Sequence, residues 1–451
     1  MALQVASVLG SDRVQGWAQL SDQERLWLTR GIDPSAASPQ GIITPQSRQE
    51  LAQVMELVQT ERWRIMPTGS GTKLGWGRWR SPIDWVLKCD RLNHVVERDP
   101  GDLTISVEAG MTLGALQREL ASHRQFLPVD PSYPETATLG GIVATADSGS
   151  LRQGYGGVRD MLLGIEFVRH DGQRSQAGGK VVKNVAGYDL MKLSTGAYGT
   201  LGVISRLTWR VYPVPEIWHT LAITGDLNAL SQLAQRILAS PLTPVALDWA
   251  QLSSALAPLP LDGSLPTDHG SEPWLLARFA SVPASVEAQV ATVMDGASAL
   301  GLTVMGLQGD KESQLWQGLS RAIAPPIDSQ MLPMENPLQL KFGILSTEVP
   351  PLLRMIQTQL PEAITQVRAG SGVGRLYYPT MTDPAITLTA LQTLRHYCQT
   401  HQGFLSILDA SPAIKTQLDP WGYRGNGQSM AIALRRQFDP HRLINPNCFI
   451  V

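Results

Sequence analysis

From residue 41 onward the spacing of apolar positions changes period in a regular way. "GIIT" (41–44) is a short apolar run that predicts a strand. In "PQSRQELAQVMELVQTERW" (45–63) Leu51, Val54, Met55 and Val58 fall on one helical face, and Ser47 with Glu50 three residues on marks the helix start. "RIM" (64–66) predicts a second strand, so the stretch closes a β-α-β unit whose outgoing turn is where such units meet ligands. "LTISVEAG" (103–110) alternates as a strand does, and "TLGALQRELASH" (112–123) predicts a helix capped by Thr112. "RDMLLGIEFVRHDGQRSQAGG" predicts a hairpin turning at Asp171-Gly172, with Arg159 and Asp160 as a surface pair at the start of its first strand. "GTLGVISRLTWRVYP" predicts a long strand entered through Gly199-Thr200 and crossing Gly202. Ahead of all this, residues 1–40 predict a short helix, "SDQERLWLTRGI", and a Pro/Ser/Ala linker.

Beyond residue 217 the pattern becomes repeated strand-helix-strand units. "IWHTLAITG", "DLNALSQLAQRILAS" and "PVALDWA" form one, and "PWLLARFAS", "PASVEAQVATVMDGASALG" and "TVMGLQ" another. "LQLKFGILS", "VPPLLRMIQTQL" and "ITQVRAGSGVGRLYYP" form a third, followed by the helix "ITLTALQTLRHYCQTHQG". Such units predict an α+β cap with an antiparallel sheet. "LAPLPLDGSLPTDHGSEP" (256–273) predicts a surface loop.

Composition adds exclusions. The chain has 451 residues, 43% hydrophobic and 17% charged, which is ordinary for a globular protein of two or three cores. A net charge of -2 gives no electrostatic reason to expect nucleic acid or an anionic membrane. Cys89, Cys398 and Cys448 form no C-x-x-C pair, which argues against an iron–sulfur cluster or a zinc site and for a reducing compartment. The N-terminus lacks a basic start followed by an apolar run, and no stretch of 18 apolar residues occurs. The expectation is a soluble cytoplasmic protein that reaches the inner membrane, if at all, through partners.

The candidate chemistry starts at "PTGSGTKLGWG" (67–77). A Walker A loop needs its lysine directly after a glycine and a hydroxyl next, whereas Lys73 follows Thr72 and precedes Leu74. A dinucleotide fingerprint needs a third glycine where Leu74 stands. What survives is a nest: glycines allow φ > 0, so successive backbone N–H groups converge on one anion. A plain solvent turn is the competing reading for this loop alone. "TATLGGIVATADSGS" (136–150), a run of small residues, adds a second place where backbone can approach a ligand closely.

These segments together carry a resemblance. "PTGSGTK", "PSYPETATLGGIVATADSG", "YGGVRDMLLGIEFVRHDG", "KVVKNVAGYDLMKLSTGAYGTLGVI" and the ending "FDPHRLINPNCF" resemble, in matching order, the PCMH-type FAD-binding family of the vanillyl-alcohol oxidase fold. The resemblance implies an α+β fold: a helical extension and linker (1–40), a PCMH-type two-part FAD-binding domain (41–213), a cap of antiparallel sheet and helices (214–433), and a C-terminal segment (434–451) that returns to the FAD domain. It implies that Thr68, Gly69, Ser70, Gly71, Thr72 and Lys73 wrap the FAD pyrophosphate. Pro131, Thr138, Leu139, Gly140, Gly141 and Thr145 would approach from the second segment, with Gly199, Gly202, Val203 and Ile204 along the adenine and ribitol side. Residues 64–77 contain neither His nor Cys, so the FAD is expected to be non-covalent.

Inside that family the likeness is to the glycolate oxidase group and its E-type subunits, which implies a catalytic D-type FAD subunit and an iron–sulfur F-type subunit as partners. Catalytic relatives are expected to carry a histidine motif in the cap, and "VRAGSGVGRLYY" has Arg368 and Arg375 there instead. Oxidising a 2-hydroxy acid needs a hydride acceptor, a base for the hydroxyl proton and a cation for the carboxylate. Arginines supply only the last, and they bind no metal. Lys341, inside the apolar "LQLKFGIL", is either exposed on an edge strand or a partner for flavin or carboxylate. His396 and His401 fit surface roles, His441 an exposed one, and Asn445 and Pro446 a structural turn. The implied function is an FAD-bearing subunit of a complex oxidising glycolate to glyoxylate, electron-relaying or supporting rather than the main catalytic subunit. A stand-alone FAD-dependent 2-hydroxy-acid or sugar dehydrogenase and a flavin-free scaffold are the alternatives.

Overall fold

The computed structural model describes residues 2–179, 189–252, 272–325, 338–379 and 383–449. It divides into two compact units: Met1–Gly149 with Gly156–Pro213 and Tyr423–Val451, and Ser150–Tyr155 with Val214–Gly422.

The first unit is built on two sheets. Strands β1 (Val14–Gly16), β2 (Gly41–Ile43), β3 (Ile65–Thr68) and β4 (Trp85–Lys88) form one, in the order β1-β2-β4-β3. The predicted β-α-β unit exists, but β4 lies between β2 and β3 and runs parallel to both. The joining helix, Arg48–Glu61, is capped as its sequence predicts, with Ser47 Oγ accepting from the Glu50 N–H at 3.1 Å. Glu50 does not return the favour to Ser47; its carboxylate accepts from Gln46 N–H at 2.8 Å and from Arg13 Nε at 3.3 Å. Leu51, Val54, Met55 and Val58 are fully buried against Ile43, Ile65, Trp85 and Leu87, and each such side chain stabilises by about 1.5–3 kcal/mol.

Strands β5 (Val95–Asp99), β6 (Thr104–Glu108), β8 (Leu162–Val168), β9 (Arg174–Gly178) and β10 (Val203–Arg210) make an antiparallel sheet in the order β5-β6-β10-β8-β9. A two-stranded ribbon pairs β7 (Gln125–Phe126) with β11 (Tyr212–Pro213). The β8–β9 hairpin turns at Asp171-Gly172, with Gly172 at φ 81° and Asp171 Oδ1 accepting from the Gln173 N–H. Two details differ from expectation, and a third goes beyond it. β10 starts after Gly202 rather than crossing it, because Gly202 has φ 156° and a Cβ there would stand 2.7 Å from Phe167 Cδ2. Arg159 and Asp160 sit in a helical turn, Val158–Met161, whose N-cap residue Gly157 donates its N–H to Asp160 Oδ2 at 2.8 Å. The small-residue run contains a short helix, Leu139–Thr145, because Leu139, Ile142 and Val143 bury one face while Thr138 caps it.

The second unit carries one antiparallel sheet of eight strands: β12 (Ile217–Thr224), β13 (Ala246–Gln251), β14 (Trp274–Ser281), β15 (Thr303–Gln308), β16 (Leu338–Gly343), β17 (Ile364–Arg368), β18 (Val373–Tyr378) and β19 (Phe404–Asp409). The order is β15-β12-β14-β13-β17-β18-β16-β19. Helices Leu227–Leu238, Pro283–Ser298, Val349–Gln359 and Pro384–Thr400 cover one face through Leu230, Leu233, Val290, Leu353 and Leu391. The opposite face is covered in part by Gly309–Ile323, whose Leu315 and Leu319 pack on Ala222, Ala250 and Leu276. Its Glu312 is buried and paired to Arg278, with Nε at 2.6 Å, and accepts from Thr220 at 2.8 Å. Lys341 is corrected by this topology: β16 lies between β18 and β19, so its lysine is half-buried on an interior strand, not on an edge. "ITQVRAGSGVGRLYYP" is two strands joined by a tight turn rather than one. Of the predicted loop 256–273, all but Glu272 and Pro273 lies outside the described residues.

Gly372 in that turn tests the packing. It has φ 63°, and a Cβ would lie 1.8 Å from the Ile344 carbonyl, whereas Gly301, at φ 69°, has nothing within 4 Å. Gly301→Ala should cost only the backbone strain, about 1–2 kcal/mol. Gly372→Ala should cost clearly more, and equal melting temperatures for the two variants would contradict this account.

Candidate functional site

A cleft opens within the first unit. One wall is the turn leaving β3, through Thr68, Gly69, Gly71, Thr72 and Lys73. A second is the short helix with its cap, through Thr138, Gly140, Gly141, Ala144 and Thr145. Ala109 and Gly110 close a third side, and Tyr198, Gly199 and the start of β10 at Gly202, Val203 and Ile204 a fourth. Asn445 arrives from the C-terminal segment.

The turn has the shape it has because glycine is required twice. Gly71 has φ 78°, and a Cβ there would stand 2.3 Å from Trp27 Nε1. At Gly69 a Cβ would stand 2.1 Å from Thr138 Oγ1, so the first two walls meet with no room for a side chain. The consequence is electrostatic. Among the described residues the N–H groups of Gly69, Ser70, Gly71 and Thr72 donate to no acceptor. Three of these residues, Gly69, Gly71 and Thr72, line the cleft, and a run of backbone donors of this kind suits an anion.

The charged groups divide in two. Lys73 Nζ lies 2.7 Å from Asp147 Oδ2, and both side chains are buried, so this cation is neutralised within the protein. The Asp147 carboxylate also accepts from the Ser132 N–H at 3.0 Å. Arg80, 5% exposed and lining the cleft, has a different set of partners. Its Nη1 donates to the Leu74 carbonyl at 2.7 Å and to that of Gly31 at 3.4 Å, and its Nε donates to Asn445 Oδ1 at 3.2 Å. None of these acceptors is a carboxylate. Asn445 is fixed in turn: its Nδ2 donates to the Tyr198 carbonyl and its N–H to the Ile65 carbonyl, each at 2.9 Å. Burial pushes the Tyr198 phenol well above its ordinary range, helped by Cys448 and opposed by Arg80. Cys89 also lines the cleft, and burial, with the Asp90 charge, pushes its thiol up to about 12.

Of the residues expected to approach the cofactor, Thr68, Gly69, Gly71, Thr72, Lys73, Thr138, Gly140, Gly141, Thr145, Gly199, Gly202, Val203 and Ile204 line this one cleft. Ser70, Pro131 and Leu139 do not. Ser70 turns its hydroxyl to the Thr136 carbonyl, and Leu139 is fully buried in the core. Sequence reasoning did not single out Arg80, Cys89, Ala109, Gly110 or Tyr198, and took Asn445 for a turn residue only. Asn445 does hold a turn conformation, φ 45°, but its side chain serves the cleft. The one available signal for Arg80 is a charge set among tryptophans, "GWGRWR", where burial forces it to find partners. His441 is exposed.

The second unit brings Lys341, Arg375 and Arg368 to one face of its sheet. Lys341 pairs directly with Arg375, Arg375 with Gln366, and Arg368 with Asp248; directly paired residues share a face, as do residues two apart. Gln366 Nε2 donates to Asp248 Oδ2 at 2.8 Å and to Ser150 Oγ at 2.9 Å. The face is cationic with a buried carboxylate at its border. Among the described residues no group of His, Cys, Asp and Glu side chains could hold a metal. Nor is any helix there long and apolar enough to cross a membrane.

Comparison with known proteins agrees with the cleft. Residues 39–178 match the family described as FAD binding domain, so FAD is the cofactor of this region, and the unpaired N–H groups and glycine-lined walls suit its diphosphate. The chain is 34% identical over 213 residues to glycolate oxidase subunit GlcD of Bacillus subtilis (strain 168), covering 47% of this chain and 45% of that one. It is 35% identical over 187 residues to glycolate oxidase subunit GlcE of Escherichia coli (strain K12), covering 41% and 53%. The chain thus spans about half the length of these two relatives. Its fold is that of p-cresol methylhydroxylase with substrate bound, at TM-score 0.71 over 99% of this chain and 95% of that one, with 15% identity.

Two outcomes follow from this geometry. Gly69→Ala forces the two walls apart and should weaken FAD binding at least about tenfold, the equivalent of 1.4 kcal/mol, read by fluorescence titration of the apoprotein. The Cys89 thiol has a folded pKa above its unfolded one, so its contribution to stability is complete below about pH 9 and is lost as pH rises toward 12. Cys89→Ala should therefore show a flatter fall in melting temperature between pH 8.5 and 10.5 than the parent; parallel profiles would rule this out.

Proposed function

We propose that this chain is an FAD-dependent oxidoreductase subunit that serves the oxidation of glycolate and related 2-hydroxy acids to 2-oxo acids. In this reading it works beside a catalytic D-type FAD subunit and an iron–sulfur F-type subunit, as an electron-relaying or supporting flavoprotein. The observation that carries the cofactor half is the turn Gly69–Thr72, whose N–H groups have no protein acceptor among the described residues and whose Gly69, Gly71 and Thr72 line the cleft. The regional likeness to glycolate oxidase subunits supports the substrate class.

Bound FAD supplies a two-electron acceptor. The protein's own contributions are more limited. Gly69 to Thr72 hold the diphosphate through backbone donors, and Thr138 keeps the facing helix end in place through Oγ1, which accepts from the Gly141 N–H at 3.3 Å. On the second unit Lys341, Arg375 and Arg368 form a carboxylate-binding face. Guanidinium groups keep their protons at neutral pH and cannot take one from a substrate hydroxyl. The hairpin that would supply a base has arginines instead, which supports a relaying or supporting role over independent turnover. The flavin is held without a covalent bond: the Cys89 thiol at the cleft stays protonated, and a thiol without its thiolate is a poor nucleophile.

The test is spectroscopic. The purified chain should show an oxidised flavin spectrum, release all its FAD into the supernatant on acid precipitation, and keep that spectrum when glycolate or D-lactate is added without oxygen. Rapid bleaching would make this chain the dehydrogenase and remove the supporting role. A colourless chain whose melting temperature ignores added FAD would remove the flavoprotein reading, since a hundredfold excess over Kd stabilises by about 2.7 kcal/mol. Isolation from its own cells without any flavin or iron–sulfur partner would count against the complex.

A further inference from the structure

We infer that Arg80 is the counter-ion of the FAD diphosphate and that Asn445, from the C-terminal segment, is its positioning residue. The inference rests on the reading of the cleft as the FAD site and concerns a residue that no motif of the sequence marks.

Charge balance carries the argument. A guanidinium that is 5% exposed has lost most of its hydration, and a buried charge is tolerated when an opposite charge or a full set of hydrogen bonds replaces the water. Among the described residues Arg80 forms no ion pair; its partners are two backbone carbonyls and one amide oxygen. The other cation of this wall, Lys73, is neutralised by Asp147. The cleft therefore holds one net positive charge facing its interior, next to a turn of unpaired N–H donors. Oxidised FAD is charged only at its diphosphate, so that group is the part of the ligand that can complete the balance. Arg80 is anchored to the Leu74 carbonyl at the end of the same turn that offers the N–H groups, which puts cation and donors on one wall. A guanidinium also presents a planar fork of donors suited to phosphate oxygens, which lysine does not.

Asn445 sets the fork's direction. Its Oδ1 accepts a hydrogen bond from Arg80 Nε while its Nδ2 donates to the Tyr198 carbonyl, so the amide cannot turn over without losing both bonds. Two residues 365 positions apart thus share one function, and the C-terminal segment becomes part of the cofactor site.

The experiment titrates apoprotein of the parent chain, Arg80→Gln, Arg80→Lys and Asn445→Ala with FAD, with ADP, which keeps the diphosphate, and with riboflavin, which lacks it. Arg80→Gln should raise the Kd for FAD and for ADP at least tenfold and leave riboflavin within twofold. Its apoprotein should melt no lower than the parent, because the variant removes an uncompensated charge. Arg80→Lys and Asn445→Ala should fall between, the lysine keeping charge without the fork. FAD affinity within threefold of the parent in Arg80→Gln would overturn the proposal, as would equal weakening of ADP and riboflavin. A lower apoprotein melting temperature in both Arg80 variants would assign the arginine to the fold alone. If the parent chain binds no FAD, it is the reading of the cleft that fails, and the two failures are told apart by that first titration.

Discussion

Backbone donors within a fold normally find protein acceptors, and the first unit is organised around a half-buried turn that leaves four of them in succession without one among the described residues. A loop of ordinary residues would curl back and pair its own N–H groups. Gly69 to Thr72 cannot, because Gly71 is held at φ 78° with Trp27 behind it and Gly69 is pressed onto Thr138. The turn is thus held open by its surroundings, and its backbone donors suit an anion. Each wall of the cleft is placed by a close approach of this kind. Gly140 donates to the Ala109 carbonyl at 2.7 Å, and a Cβ on it would sit 3.0 Å from that oxygen.

The chain's end is the second dependency. Ile444 bridges Ile65 in parallel with β3, so the C-terminal segment extends the sheet that carries the anion turn. Asp439, fully buried, accepts from the N–H groups of Leu443 and Ile444 at 2.9 and 2.8 Å, and Arg435 Nη2 donates to the carbonyls of Ile444 and Asn445 at 3.4 and 3.1 Å. Burial lowers the Arg435 pKa, with the Asp439 charge working against that effect. A buried carboxylate and a buried guanidinium thus fix the backbone of three successive residues, Leu443 to Asn445. That makes physical sense if the register of Asn445 matters to the cleft.

Local rules were legible in the sequence wherever one short segment decides the outcome. Ser47 and Thr112 cap helices because their hydroxyls are the nearest acceptors for orphan N–H groups, and Asp171-Gly172 turns a hairpin because only glycine accepts its backbone angle cheaply. The glycine walls of the cleft were legible for the same reason. What the pattern did not yield depends on partners far along the chain. β4 inserts between β2 and β3 by tertiary pairing, and β19 is placed by β16. The helix Gly309–Ile323 announces itself only through Leu315, Leu319 and Ile323 at every fourth position, and Lys341 looks like an edge charge until the strand order shows β16 to be interior.

Cations show this limit most clearly. Lys73 stands inside the motif and invites a phosphate-binding role, yet the fold puts Asp147 against it, from a segment 74 residues away. Arg80 stands outside the motif and receives only neutral acceptors, one of them from the far end of the chain. Sequence shows where charges are; only the fold shows which are already balanced. On the second unit the same distinction applies: Lys341, Arg375 and Arg368 share one face of a sheet, and the two guanidinium groups among them keep their protons at neutral pH and so accept none.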